Sequence, residues 1–79
     1  MDETPNRVLS ALMFMGAQSP ERAISSVDLA GRLGLERLSL EANMKDLGRG
    51  GYLKSFLHEG VSYVYLSTAG IIVASSTYS

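Results

Sequence analysis

The chain has 79 residues, 46% of them hydrophobic and 19% charged, with a formal net charge of −1 and a pI of about 5.7. That length holds one domain with a small core, and the composition excludes both a disordered chain and a strongly basic one. The absence of cysteine excludes a disulfide framework and a thiolate metal site. The longest apolar run falls far short of the ~20 residues a membrane span needs. The acidic, polar start MDETPNR carries no visible signal peptide. A cytoplasmic protein away from the membrane is expected.

The first element is a helix in TPNRVLSALMFMGAQSP, with Thr4 as N-cap, Pro5 at the first helical position and Pro20 as its stop. Val8, Leu12 and Met15 recur at helical spacing and predict its buried face. Leu9, Met13 and Phe14 then remain as surplus apolar surface. SPERAISS reads as a connector in which Ile24 sits in a short bridging strand. A second helix follows over Val27 to Leu33, capped by Ser26, with Asp28 in the first turn where the helix dipole favours an anion. Gly34 supplies a left-handed turn residue.

The third helix is predicted from Arg37 to Leu47. Leu40, Met44 and Leu47 lie at i, i+4, i+7 and form its inner face. GRGG, with Gly48, Gly50 and Gly51, is expected to end it. YLKSFL and VSYVYL read as two strands around the three-residue loop of His58, Glu59 and Gly60, a β-hairpin. Ser67 then caps a short apolar helix in STAGIIVASSTYS. The predicted fold class is α+β over residues 1–79: a winged helix-turn-helix, with a three-helix core, a β-hairpin wing and a short C-terminal helix.

Residues 27 to 70 resemble the winged helix-turn-helix regulators of the MarR and PadR kind. DLAGRLGL is similar to their second helix and turn, and the stretch from Gly34 and Leu35 to Leu47 has the family's usual recognition-helix length. LGRGGYL is similar to their helix end and YVYLSTAG to their wing exit. The resemblance covers about half of the chain. It implies a third helix that enters the major groove of DNA with its N-terminal residues on base edges.

On that mapping the exposed positions are Arg37, Leu38, Ser39, Glu41, Ala42, Asn43 and Lys45. Arg37 suits guanine O6 and N7, Asn43 suits adenine N6 and N7, and Ser39 suits a base or a phosphate. Glu41 is the objection, since phosphates repel a carboxylate; it stands four residues before Lys45, a favourable ion-pair spacing. Phosphate contacts are expected from Arg32, Lys45, Arg49 and Lys54. Five of the seven Lys and Arg lie between residues 32 and 54, a segment of net +2 in a chain of net −1. The wing tip HEG offers only His58 as a cation, opposed by Glu59, so the wing is expected to touch DNA little. Tyr52, Tyr63 and Tyr65 suit stacking on bases, but strand tyrosines more often pack on a sheet or a partner.

No catalytic constellation, phosphate-cradling loop or histidine metal set is legible, so neither enzyme activity, a cofactor nor a metal is expected. The leading expectation is a sequence-specific regulator on double-stranded DNA. The alternative is a winged helix that docks on protein without touching DNA. A homodimer is expected through the first and last helices, using Leu9, Met13, Ile71, Ile72 and Tyr78, with half-sites about one DNA turn apart.

Overall fold

A computed structural model describes residues 3–78, the side chains of residues 77 and 78 excepted. The elements run α1 (Thr4–Phe14), a 3-10 turn (Pro20–Arg22), β1 (Ile24–Ser25), α2 (Ser26–Leu33), α3 (Arg37–Arg49), β2 (Leu53–His58), β3 (Val61–Leu66) and α4 (Thr68–Tyr78). The sheet is antiparallel in the order β1-β3-β2. Ile24 pairs with Val64, so the bridging strand is real.

The helices end by a shared device. After α1, Gly16 at φ 74° lets Ala17 N–H donate to Leu12 O and Gly16 N–H to Met13 O. After α3, Gly51 at φ 82° gives the same pair of bonds, from Tyr52 to Leu47 and from Gly51 to Gly48. This is the Schellman motif, in which a left-handed residue satisfies carbonyls the helix leaves unpaired. It corrects two sequence-based expectations. α1 is stopped by Gly16, not Pro20, which opens the 3-10 turn instead. α3 continues through Gly48 to Arg49, because Gly51 rather than Gly48 takes the left-handed position.

The N-termini differ too. Thr4 is the first residue of α1 and not its cap. Ser25, not Ser26, caps α2, its Oγ accepting from Asp28 N–H at 3.1 Å. Ser67 caps α4 as expected: its Oγ accepts from Gly70 N–H and donates to Gly51 O. The hairpin turn has two residues, since His58 pairs with Val61. Glu59 and Gly60 both have positive φ, the pattern that matches strand twist in tight hairpins.

The core gathers Val8, Leu9 and Leu12 of α1, Leu29 of α2, Leu40 and Leu47 of α3, Val64 and Leu66 of β3, and Ala74 of α4. Leu9 was expected to face a partner, and it is buried at 2% exposure. α1 packs against α4 as well as against α2 and α3. Its inner stripe is therefore wider than a helix with one neighbour needs, and Leu9 fills the added width. Met15, expected inside, is half-buried, as is Met13. Phe14 is 74% exposed. No helix among the described residues is long and apolar enough to cross a membrane.

Candidate nucleic-acid interface

α2 and α3 are joined by the turn at Gly34, where Leu35 N–H donates to Ala30 O and φ is 66°. Leu40 and Leu47 are buried and Met44 is half-buried, so the inner face of α3 is the predicted one. At about 100° per residue the opposite stripe is Leu38, Ala42, Lys45 and Arg49, at i, i+4, i+7 and i+11. All four are exposed. Leu38, 77% exposed, stands at the N-terminal end of this stripe, and the two cations at its C-terminal end.

One flank of α3 faces the hairpin. A groove of about 310 Å³ runs between α2, α3 and the hairpin tip, with Arg37 and Glu41 on one wall and Val27, Leu57 and Val61 on the other. Here Arg37 Nε donates to Glu41 Oε1 at 3.0 Å. The sequence spacing had offered Lys45 as the partner of Glu41; the structure pairs it with Arg37 one turn earlier. Glu41 is thereby matched by a cation of the same helix. Both groups are substantially exposed, so the pair orients the guanidinium more than it adds stability.

The other flank carries Ser39 and Asn43. Ser39 is exposed and Asn43 half-buried. Asn43 Nδ2 donates to Ser39 O at 2.9 Å, so its amide is engaged within the helix. Arg37 and Asn43 thus lie on opposite flanks, about 120° apart around the axis.

The five expected cations separate in space. Arg37, Lys45 and Arg49 share α3. Arg32 is exposed but lines a different hollow, with Met15, Ile24, Val27, Asp28 and Gly31. Lys54 pairs across the hairpin with Tyr65. Strand alternation puts it with Phe56 and His58, on the sheet face opposite Leu53, Ser55 and Leu57. That outer face is aromatic. Phe56 stacks on Tyr63 with centroids 5.6 Å apart, and His58 meets Tyr63 edge-on at 6.1 Å. Tyr63 and Tyr65 therefore pack on the sheet, each against Phe56.

Sequence reading missed the exposure of Val27 and Leu57, 69% and 75%. Strand alternation puts Leu57 on the same face as buried Leu53, but at the hairpin tip that face borders the open groove rather than the core.

A helix-turn-helix whose second helix keeps one bare stripe beside a hairpin defines the winged helix-turn-helix class. No protein-family model matches the chain, and no curated protein matches it in sequence. Solved structures match closely in fold. A candidate DNA-binding protein from Ralstonia eutropha JMP134 superimposes with a TM-score of 0.87 at 20% identity, over 100% of this chain and 99% of that one. A variant of MarR from E. coli in complex with operator DNA gives 0.80 at 17% identity, over 99% of this chain and 54% of that one. The S. aureus MepR–DNA complex gives 0.80 at 15% identity, over 96% and 60%. The chain thus spans nearly all of the first and little more than half of the other two. The fold is that of MarR-type winged-helix regulators.

Proposed function

We propose that the chain binds double-stranded DNA as a transcription regulator, with α3 in the major groove. The observation that carries this reading is the bare outward stripe of α3, ending in Lys45 and Arg49 and flanked by the hairpin. Two of the matched structures are DNA complexes.

In this reading Arg37 and Ser39 contact base edges, and Glu41 holds the Arg37 fork in place while its terminal nitrogens meet guanine. Asn43 keeps one N–H on Ser39 O and offers its other N–H and Oδ1 to a base. Lys45 and Arg49 meet phosphates near the groove, and Arg32 and Lys54 meet phosphates further out.

The protein acts as a homodimer, through α1 and α4. Ile72 is 64% exposed, Met13 and Ile71 are half-buried, and the two helices pack side by side. Leu9 drops out of this surface because it is buried, and the Tyr78 side chain lies outside the described residues. Two-fold pairing there presents two reading helices to half-sites about one DNA turn apart.

A second reading has one observation in its favour. Val27 and Leu57 expose apolar surface at the groove beside α3, which suits docking on a protein. Selection from a random duplex pool at ~0.1 M salt separates the two. A DNA-binding regulator enriches a shared sequence with two-fold symmetry. A docking module retains no duplex.

A further inference from the structure

Resting on the DNA-binding reading, we propose that α3 selects its sites through the 5-methyl groups of thymine, read by Leu38 and Ala42. A lone exposed leucine is ordinary on a protein surface. This one is informative for its place. It heads the outward stripe of the helix, with Ala42 next in the same row and Lys45 and Arg49 beyond.

The hydrogen-bonding candidates lie to either side of that row. Arg37 Nε is bound to Glu41 on the hairpin flank, and the Asn43 amide is bound to Ser39 O on the other. The centre of the face, where a helix approaches the groove floor most closely, is therefore apolar over its first two turns. Base edges in the major groove offer one apolar feature, the thymine methyl, and apolar side chains are its natural partners. Leu38 is long enough to reach a methyl from the helix start. Ala42 is short, which lets the backbone come near without a polar group to desolvate. The two are four residues apart, about 6 Å along the axis, or close to two base-pair steps. The row then passes to Lys45 and Arg49, which suit phosphate rather than base. Sites rich in thymine at two positions per half-site follow.

The test uses the full chain and a duplex selected from a random pool. Each thymine is replaced in turn by deoxyuridine, which keeps every hydrogen-bonding group and removes only the methyl. The expected result is about a fourfold loss of affinity at each of two positions per half-site. Leu38→Ala should make one of those positions indifferent to the methyl while leaving the salt dependence of binding unchanged. Because Leu38 is outside the core, a thermal melt should show the variant folded like the parent. If a duplex is selected but every deoxyuridine is neutral, or Leu38→Ala discriminates as the parent does, the methyl-reading proposal is overturned and DNA binding stands. If no duplex is retained even at low salt, the DNA-binding reading fails, and this proposal with it.

Discussion

α3 and α4 each leave one side without a neighbour, and the two bare sides differ in kind. On α3 the stripe runs from Leu38 and Ala42 to the cations Lys45 and Arg49. Residues 68–78 of α4 include no charged residue at all. Gly70 and Ala74 are buried, Ile71 and Val73 half-buried, and Ile72 exposed. Its exposed side sets Ile72 among Thr68, Ala69, Ser75 and Ser76, small uncharged residues around one large apolar one. A bare face is therefore not a partner in itself. Its chemistry says which partner suits it: a second apolar surface for α4, a polyanion with an apolar edge for α3. The fold keeps the two apart, since α4 packs on α1 and β3 while α3 packs on α1, α2 and β2.

The largest expected effect breaks α4 from its seat. A methyl added at Gly70 lands against the Tyr52 carbonyl, and that carbonyl already accepts Ser67 N–H at 3.1 Å. Backbone on both sides leaves little room to yield. Gly70→Ala should cost about 3 kcal/mol of folding stability, measured by urea unfolding. A loss below about 0.5 kcal/mol, within the ordinary range of surface substitutions, would mean that α4 shifts easily on the hairpin base.

Next in size is the α4 surface itself. Ile72→Glu should dissociate the dimer at micromolar concentration and lower affinity for a two-half-site duplex about 100-fold. Helical content should stay the same, because Ile72 is outside the core. Sedimentation equilibrium reads the first effect and a duplex titration the second. A parent that sediments as a clean monomer would remove the dimer and leave α4 without the partner proposed for it.

On α3, Arg37→Ala should cost about 2 kcal/mol in binding and relax preference at one base position. Glu41→Gln should have a smaller effect that exposes the role of the pair. If Glu41 holds the Arg37 fork, the variant loses discrimination at the position Arg37 reads. If Glu41 only repels phosphate, all duplexes bind more tightly.

The order of the elements was legible because apolar periodicity switches clearly from helix to strand, and Gly34 and Ser67 stand where a turn and a cap are needed. Helix ends were less so. Gly48 looked like a stop, yet Leu47 must be buried and the left-handed residue falls at Gly51, so the helix carries Gly48 along. Leu9 was misplaced because the inner face predicted from Val8, Leu12 and Met15 is too narrow for a helix that packs against α4 as well as α2 and α3. The third helix was found with Arg37 and Lys45 on it, but its end was placed short of Arg49. Arg32 and Lys54 are near Lys45 and Arg49 in sequence and separated from them by helix rotation and strand alternation. The partner of Glu41 was not legible either, since Arg37 and Lys45 both stand four residues away.

Salt dependence tests most directly the claim that the stripe of α3 meets DNA. With Lys45, Arg49, Arg32 and Lys54 of two protomers on phosphates, duplex affinity should fall about 10,000-fold between 50 and 200 mM salt. Arg49→Gln should weaken all duplexes alike and flatten the logarithmic slope by about one unit per protomer. Duplex binding that ignores salt, or an Arg49→Gln protein with the parent slope, would contradict the account.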